Sequence, residues 1–497
     1  MIDLKHYEFW FLVGSQGLYG KETLDQVAEH TRVMAEEFGT DPALPCTVVL
    51  KPTVLTPAGI RRTFEEANAD PKCAGIITWM HTFSPSKMWI AGLSINRKPL
   101  FHLHTQFNRD IPWDSIDMGF MNLNQSAHGD REHGFIHARM RLEPKVVAGH
   151  WRDPEVRRRM GLWMRTAAAF ADGQEKVCVR FGDNMREVAV TEGDKVEAQI
   201  RFGWQVNGWG IGDLTAEIEK VEDAAVDTLM KEYAASYDLS ALEKDTAGLD
   251  AVREQGRYEI AMKRFLDARN AGAFSTNFQS LHHMKQLPGL AVQRLMEQGY
   301  GFGAEGDWKT AMLVRAMKVM AADLKGGTSF MEDYTYHLEP GKEAVLGAHM
   351  LEICPSLAKD RIRIEVHPLS IGDKEPPARM VFDAAEGPAV LATVIDMGNR
   401  FRMIVNDVES IRIENPMPKL PVARVLWKPF PSLTKAAESW IIAGGAHHSG
   451  YTTAIGAEAL RDWAEIAGIE FVHIGEGSSP DRLRDELRWG DPYWSGR

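Results

Sequence analysis

The chain has 497 residues, of which 44% are hydrophobic and 25% are charged, and its formal net charge is −12. A chain of this length exceeds one ordinary hydrophobic core and predicts about two to four domains. The negative charge argues against nucleic acid or an anionic membrane as the main partner, because both bind clustered Lys and Arg. A small neutral ligand remains compatible with this composition.

The cysteines and the N-terminal residues indicate the cellular compartment of the protein. Cys46, Cys73, Cys178 and Cys354 lie far apart and form no Cys-x-x-Cys pair, so reduced, buried thiols are expected. Residues 1–6 lack an apolar signal core, and no apolar run approaches the ~18 residues that a membrane helix needs. These features predict a cytoplasmic protein.

The first third of the chain alternates strands with helices. A compact apolar run at 7–13 is followed by a glycine-rich turn at 14–20 and by helical spacing at 22–38. Further short apolar runs occur at 46–50, 73–79 and 100–104. Such alternation predicts a mostly parallel sheet covered by helices.

A second strand–helix series begins near residue 176. It follows a long helix that is predicted to start at Pro154, where the first helical turn tolerates proline, and to end at about Ala171. A domain boundary is therefore expected near residue 172. The segment 307–324 has the apolar spacing of an amphipathic helix.

After residue 326 the pattern changes to strands with short turns, which is typical of an antiparallel β-domain. These strands are predicted at 361–366, 379–382, 390–395 and 400–413, and helices return at 433–442 and 457–467. The sequence thus predicts two parallel-sheet α/β domains followed by a C-terminal antiparallel β-rich domain with terminal helices. Their predicted ranges are 1–172, 173–325 and 326–497.

Two carboxylates and two histidines are candidate ligands of one divalent metal. They are Glu305, Glu332, His349 and one member of the His447–His448 pair. Adjacent histidines cannot easily bind the same ion, so one is expected to ligate and the other to contact the substrate or orient a ligand. This mixture of oxygen and nitrogen donors suits Mn²⁺, Co²⁺ or Mg²⁺ better than a closed structural zinc site.

A predicted hairpin bears on whether two of these residues meet. Residues 329–338 and 344–353 are expected to form paired strands around a turn at 339–342. A symmetric turn would place Glu332 directly opposite His349, with their Cβ atoms ~5 Å apart. A one-residue bulge would break this register.

A divalent ion at such a site could bridge two adjacent sugar oxygens, polarise a carbonyl and acidify the neighbouring C–H bond. Two carboxylates could then move the proton between the two carbons through an enediol, which amounts to aldose–ketose isomerisation. A hydride shift would use the same metal, and the sequence does not distinguish the two routes.

Two polar segments could contact a ligand. The turn at 14–20 has G-x-x-G-x-x-G spacing instead of the dinucleotide fingerprint G-x-G-x-x-G. A tight turn whose Gln16 faces a ligand is therefore favoured over a nicotinamide-dependent sugar oxidoreductase, and a non-catalytic sugar-binding or regulatory protein is a third class. The segment 122–132 is interpreted either as a solvated loop or as a loop that contacts a sugar or a subunit.

Several unusual segments together carry a resemblance to a known family. They are His102–Arg109, Met121–Gln125, Arg180–Arg186, Lys285–Gly289 and the stretches around Glu305, Glu332, His349 and His448. Over nearly its whole length the sequence resembles the L-arabinose isomerases. The resemblance implies conversion of L-arabinose to L-ribulose in arabinose catabolism, and of D-galactose to D-tagatose as well. It also implies Mn²⁺ as cofactor, with Co²⁺ or Mg²⁺ as substitutes, and no nucleotide cofactor.

The resemblance also implies roles for individual residues. The metal ligands would be Glu305, Glu332, His349 and His448, the two glutamates would double as the acid/base pair, and His447 would act beside the substrate. The substrate pocket would be lined by Gln16, Met185, Phe278, Phe330, Ile371 and His447, with Gln125 and His128 contributed by a neighbouring subunit of a hexamer built from trimers.

Two positions depart from the family pattern. Gly17 stands where a larger polar residue is more usual, and His283 stands where glycine is expected. Both lie near segments that could shape the pocket, so they bear on substrate preference and not on the reaction class.

Overall fold

The computed structural model describes residues 2–369, 371 and 373–495. The chain forms two compact units, of which the first spans Asp3–Ala171 and the second begins at Asp172 and also includes Ile2. Across the described residues, no helix combines the length and the apolar character that crossing a bilayer requires.

The first unit contains a parallel sheet with the strand order β2-β1-β3-β4-β5. Its strands are β1 (Glu8–Val13), β2 (Thr47–Leu50), β3 (Cys73–Trp79), β4 (Leu100–His104) and β5 (Lys145–Ala148). Its helices are α1 (Gly20–Thr40), α2 (Pro57–Ala69), α3 (Ile90–Ile95), α4 (Met118–Leu123), α5 (Ser126–Met140) and α6 (Pro154–Glu175).

The central strands of this sheet are mostly apolar because helices cover both faces of a parallel sheet. Every residue of β3 is buried, and its Ile76 belongs to the same core cluster as Trp10 and Leu12 of β1. Helix α1 buries Val27 and Met34 at helical spacing. The predicted parallel α/β fold of this part of the chain is confirmed.

The glycine-rich turn after β1 is a close-packed turn. A Cβ atom at Gly14 would lie 2.7 Å from the Met80 sulfur and from side-chain atoms of Ser84 and Trp89. Gly20 has φ 79°, in the left-handed region that favours glycine. Packing and backbone conformation therefore explain the first and last glycines of the turn without a bound phosphate.

The prediction of a loop at 122–132 is wrong for most of that segment, because α5 begins at Ser126. The buried face of α5 carries Asp130, His133 and His137 in place of aliphatic residues, so the hydrophobic periodicity of a helix is absent. Asp130 accepts a hydrogen bond from the backbone N–H of Met80 at 3.0 Å, and its other oxygen lies 2.7 Å from His104 Nδ1. These polar contacts dock α5 on the sheet.

Two histidines of α5 are buried without hydrogen bonds. Among the described residues, neither ring nitrogen of His133 or His137 has a partner. Burial, together with the nearby His102, lowers the pKa of His137 to about 4. Burial also holds the pKa of His133 well below its ordinary value, and His137 and His102 add to this effect. Both rings are therefore neutral in the folded unit at neutral pH.

We predict that acid destabilises the first unit through these rings. The unfolded chain protonates each histidine near pH 6.5, whereas the folded unit does not until a lower pH. Stability therefore falls as pH drops below about 6.5, by about 1.4 kcal/mol per pH unit for each histidine. His137→Leu should flatten the pH dependence of the free energy of unfolding between about pH 6.5 and 4.5, measured by urea denaturation.

The exposed His6 provides the control, since His6→Gln should leave the slope unchanged. Equal slopes in the wild type, His137→Leu and His6→Gln would contradict the assignment.

The second unit contains the remaining strands and helices. Its first strands are β6 (Val177–Phe181), β7 (Gln205–Trp209), β8 (Ala271–Thr276) and β9 (Gly301–Ala304). They are followed by β10 (Thr328–His337), β11 (Ala344–Ala348), β12 (Arg363–Val366), β13 (Ala378–Val381), β14 (Gly387–Asp396), β15 (Phe401–Ile411), β16 (Arg424–Pro429), β17 (His448–Thr452) and β18 (Glu470–Ile474). Its helices are α7 (Lys195–Phe202), α8 (Ile211–Glu219), α9 (Asp223–Ser236), α10 (Thr246–Asp267), α11 (Gly289–Glu297), α12 (Trp308–Met320), α13 (Leu433–Ala443), α14 (Ala457–Ala467) and α15 (Pro480–Ser495).

Two larger sheets organise this unit. The first is parallel and has the order β7-β6-β8-β9. The second is mostly antiparallel, has the order β14-β17-β10-β11-β16-β15-β18, and carries a parallel β15–β18 pair at its edge. It closes on itself because β14 pairs with both β17 and β15. The predicted second α/β layer and the β-rich C-terminal part are confirmed.

Helix α12 is buried on all sides, so the prediction of an amphipathic helix is wrong. It packs against β9 of the parallel sheet and against β10 and β17 of the β-rich sheet. Its two buried lysines are satisfied by backbone carbonyls, with Lys309 donating to Glu192 and Lys318 donating to Thr328. A helix enclosed by two layers has no solvent face, and this explains the missing polar stripe.

Glycine allows α12 to lie directly on β9. A Cβ atom at Gly301 would lie 2.0 Å from the carbonyl oxygen of Ala311, and one at Gly303 would lie 2.2 Å from that of Asp307. Any side chain at these positions would push the helix away from the strand. The close contact fixes the short turn between β9 and α12.

Candidate metal centre

Glu305 lies in the turn between β9 and α12 in an unusual backbone conformation. Its φ is 61°, a left-handed conformation that costs a residue with a Cβ atom roughly 1–2 kcal/mol. The turn is held by hydrogen bonds from Gly306 N–H to the Thr276 carbonyl at 3.2 Å and from Met185 N–H to the Glu305 carbonyl at 2.9 Å. Such conformations concentrate at functional sites, where the surroundings enforce them.

The other predicted ligands are brought together by three neighbouring strands. Strand β10 lies between β11 and β17. Glu332 on β10 is paired with Ala348 on one side and with His448, the first residue of β17, on the other. His349 follows β11 directly. The sheet therefore delivers two histidines to the two sides of one glutamate.

The predicted hairpin register holds near the turn and fails at the site. Tyr336 is paired with Val345, as a symmetric turn requires, but the register shifts between Asp333 and Thr335. This irregularity moves Glu332 opposite Ala348 instead of His349, so the predicted direct pairing is wrong. The two side chains still approach each other, since Glu332 Oε2 lies 3.9 Å from His349 Nε2.

Three of the predicted metal ligands converge on one point. One donor atom each from Glu305, His349 and His448 lies within 4.8 Å of the other two. This set does not include Glu332, which approaches it through His349. The convergent donors are one carboxylate oxygen and two imidazole nitrogens. Transition-metal ions such as Mn²⁺ accept this combination.

The two adjacent histidines occupy different environments. Glu305 Oε2 lies 3.8 Å from the Nε2 atoms of both His447 and His448. The His448 side chain is fully buried, whereas that of His447 is 39% exposed. Among the described residues, His448 Nε2 has no hydrogen-bond partner. A buried nitrogen without a partner is costly unless it binds a ligand, so His448 fits the role of metal ligand and His447 remains free to face solvent.

Two carboxylates that the sequence interpretation missed orient the ligand histidines. Asp307 Oδ2 lies 3.2 Å from His448 Nδ1, and Glu352 Oε2 lies 2.5 Å from His349 Nδ1. When Nδ1–H donates a hydrogen bond to a carboxylate, the lone pair of Nε2 is left available to bind a metal. The same hydrogen bond fixes the direction of the ring. The sequence signal that could have identified them is their spacing from predicted ligands. Asp307 lies two residues after Glu305, and Glu352 lies three residues after His349.

Asp307 has a second role at the start of α12. Its side chain caps the helix by accepting hydrogen bonds from the N–H and the hydroxyl of Thr310 at 3.2 and 2.7 Å. Burial opposes ionisation of Asp307, but Lys309 and His448 outweigh it and lower its pKa to about 2. An ionised carboxylate therefore faces the His448 ring.

The charges within the cluster support one another. Burial raises the pKa of Glu305, but the nearby His447, His448 and His349 outweigh it, so the pKa is lowered. Burial lowers the pKa of His349, but Glu352 and the two predicted ligand glutamates reverse this and raise it. The nearby Glu305 carboxylate raises the pKa of His447.

The predicted pocket residues of the second unit differ in accessibility. Phe330 is fully buried, and its ring centroid lies 5.1 Å from those of both His349 and His448 in edge contacts, so it supports the ligand rings from beneath. Met185 and Phe278 are half-buried, and Ile371 is 36% exposed. Met185 is tied to the site through its bond to Glu305.

The other predicted substrate residues belong to the first unit. Gln16 is half-buried in the turn after β1. Gln125 precedes α5 and accepts a hydrogen bond from the Tyr19 hydroxyl at 3.1 Å. His128 is exposed, with its ring 4.7 Å from that of Phe83. These residues lie beyond the carboxyl ends of β1 and β3, where open α/β sheets bind ligands.

The two atypical positions are explained in part. His283 has φ 69°, a left-handed conformation in which glycine is the usual residue. A Cβ atom at Gly17 would meet no atom within 4 Å, so the backbone there has room for a larger side chain.

Models of one known protein family match most of the chain, from residue 3 to residue 470. Family models of the L-arabinose isomerase N-terminal, central and C-terminal domains match residues 3–175, 177–323 and 327–470. The chain belongs to the L-arabinose isomerase family. It is therefore an enzyme of the intramolecular oxidoreductase class, which interconverts aldoses and ketoses.

Individual L-arabinose isomerases are similar over their full length. The enzyme of Thermotoga neapolitana is 62% identical over 494 residues, which is 99% of each chain. That of Geobacillus kaustophilus is 61% identical over 498 residues and 100% of each chain. That of Anoxybacillus flavithermus is 61% identical over 495 residues and 99% of each chain.

We predict that Glu352 tunes metal binding through His349. Glu352→Ala removes the acceptor that orients the ring, so the affinity for Mn²⁺ should fall by about 10- to 100-fold, measured by electron paramagnetic resonance of free Mn²⁺. The control is Glu365→Ala, because Glu365 lies 2.7 Å from His367 in a similar pair that contains no predicted ligand. An equal loss in both variants, or none in Glu352→Ala, would refute this role.

Proposed function

We propose that this chain is a Mn²⁺-dependent isomerase that converts L-arabinose to L-ribulose and also D-galactose to D-tagatose. The observation that carries the proposal is the convergence of Glu305, His349 and His448 within 4.8 Å in a chain of this family. The substrate follows the name shared by relatives that are 61–62% identical.

The donor set fits a divalent cation. We assign Glu305, His349, His448 and Glu332 as its ligands, and the unpartnered Nε2 of His448 supports this choice most directly. When bound, the ion would polarise the carbonyl of the sugar and stabilise negative charge on the adjacent oxygens. Mn²⁺ is proposed as the native ion, with Co²⁺ and Mg²⁺ as substitutes, because carboxylate and imidazole ligands suit all three.

Glu305 and Glu332 form the proposed acid/base pair. One carboxylate removes the proton from C2 of the open-chain aldose while a proton is delivered to O1, which gives an enediol. The hydroxyl on C2 then loses its proton and a proton adds to C1, which gives the ketose. Atoms and electrons balance within the sugar, so no external oxidant is needed.

His447 is assigned to the substrate. Its ring is partly exposed, and its Nε2 lies 3.8 Å from Glu305, so it can contact a sugar oxygen beside the acid/base group. The nearby Glu305 carboxylate raises the pKa of His447, which keeps a proton available for such a contact up to a higher pH. Met185, Phe278, Phe330 and Ile371 complete the proposed pocket within the second unit. Gln16, in the first unit, keeps the proposed role of a substrate-binding residue.

We further propose a homohexamer in which Gln125 and His128 of one subunit complete the active site of another. Exposed apolar side chains in the first unit support an interface, among them Trp113 at 79%, Met118 at 69% and Met121 at 52% exposure.

The domain division and the compartment remain proposals. We propose domains at 1–172, 173–325 and 326–497. The N-terminal and central family models end at residues 175 and 323, which supports the two internal boundaries. The proposed cytoplasmic location is supported by four buried cysteines that remain unpaired thiols.

We predict that Glu305→Gln and Glu332→Gln each lower kcat on L-arabinose by about 10²- to 10⁴-fold, because an amide cannot transfer the proton. The far-ultraviolet circular dichroism spectrum should match that of the wild type. Glu343→Gln, at an exposed position near the turn between β10 and β11, should keep full turnover. Wild-type turnover in either site variant would exclude its acid/base role.

The enediol route and a hydride shift are distinguished by isomerisation in deuterium oxide. The enediol route places deuterium on C1 of the ketose, whereas a hydride shift leaves none.

We predict that complete chelation abolishes isomerisation and that Mn²⁺ restores it without any added nicotinamide nucleotide. L-arabinose, D-galactose and L-fucose should be compared with Mn²⁺, Co²⁺ and Mg²⁺, and ketose measured by chromatography. Dependence on a nicotinamide nucleotide would favour the oxidoreductase alternative. Tight sugar binding with no ketose under any of these conditions would favour the non-catalytic alternative.

A further inference from the structure

The turn that carries Glu305 lies against the loop that follows β6. The Met185 N–H donates to the Glu305 carbonyl at 2.9 Å. A Cβ atom at Gly306, whose φ is 85°, would lie 2.5 Å from Asn184 Cα and 2.8 Å from the Asp183 carbonyl oxygen. The two backbones are therefore in direct contact, and a side chain at residue 306 would separate them.

The side chain of Asn184 joins the two loops. It is 7% exposed. Its Nδ2 donates to the carbonyl oxygen of Thr191, and a longer contact of 3.4 Å reaches the carbonyl oxygen of Gly306. Its Oδ1 accepts a hydrogen bond from the Arg180 guanidinium. One buried amide thus links strand β6, the segment before α7 and the Glu305 turn.

The loop that presents Asn184 is itself anchored from two directions. Arg180 is 8% exposed and also donates to Asp183 Oδ1 at 3.1 Å. Asn277, which follows β8, donates from Nδ2 to the Asp183 carbonyl at 3.0 Å. Adjacent parallel strands of the sheet therefore hold the backbone against which the Glu305 turn packs.

We infer that Asn184 is a positioning residue for the metal site. Glu305 has a left-handed backbone that is unfavourable for a residue with a Cβ atom, and it persists only where the surroundings enforce it. The amide of Asn184 and the backbone it holds are part of these surroundings, through the contacts with Glu305 and Gly306. Without them the turn relaxes, and the Glu305 carboxylate leaves the common point with His349 and His448. This inference rests on the proposed metal-binding function.

The test is the affinity for Mn²⁺, measured by electron paramagnetic resonance of free Mn²⁺ on the full chain. Asn184→Asp keeps the acceptor for Arg180 but loses the donor to Thr191 and Gly306. It should raise the dissociation constant at least about tenfold. Asn184→Ala, which removes the amide without adding charge, carries the same expectation if the aspartate variant does not fold.

Gln255→Glu is the matched control, because it makes the same amide-to-carboxylate change at a fully buried position. Gln255 Nε2 donates to Gln286 Oε1 and to the Leu287 carbonyl, away from the ligands. This control should keep the wild-type dissociation constant within about twofold even if its melting temperature falls, since the hydrogen bonds of Gln255 within the described part of the chain go to Gln286, Leu287 and Ala291.

Two results would each overturn the inference on Asn184 and leave the proposed function intact. One is wild-type Mn²⁺ affinity in both Asn184 variants, and the other is an equal loss of affinity in Gln255→Glu, which would indicate general destabilisation. If the wild type itself binds no Mn²⁺, the proposed function fails, and this inference fails with it.

Discussion

The site depends on the direct contact between helix α12 and strand β9. Because residues 301 and 303 are glycines, β9 places no side chain against α12 at these two positions. The turn that carries Glu305 and Asp307 therefore has little conformational freedom. The other faces of α12 pack on the β-rich sheet, which supplies His349 and His448. One buried helix therefore sets the distance between a ligand from a parallel sheet and ligands from an antiparallel one. A small shift of α12 would change all of these separations together.

Charge is arranged around this helix in pairs that favour a fixed geometry. Asp307 caps α12, faces Lys309 and contacts His448, so one carboxylate serves helix and histidine at once. Glu352 serves His349 in the same way. Taking these charges out of water is unfavourable unless each one is paired. The pairing leaves the imidazole Nε2 atoms as the groups with unused bonding capacity, and such a preorganised set favours binding of a cation.

The sequence predicts the fold class well because buried parallel strands are continuous apolar runs. Three of the four residues predicted as metal ligands, Glu305, His349 and His448, lie together in the structure, and the ligand set itself stays a prediction. Other features were not predictable from local patterns. The register shift beside Asp333 has no local sequence signal, and the polar buried face of α5 hides its helical period. The burial of α12 on every side depends on two sheets that are distant in the chain. Asp307 and Glu352 gain their roles only through contacts with histidines.

The closure of the β-rich sheet has a consequence for how a metal enters. Strands β10 and β17 each have partners on both sides, so the backbone around Glu332 and His448 has no free edge from which to fray. Amide hydrogens there would exchange only when the whole layer opens. The proposed metal ion would therefore enter a site that is already built and would not trigger its folding. If the proposal holds, removal of the ion would stop catalysis reversibly without exposing the core to proteases.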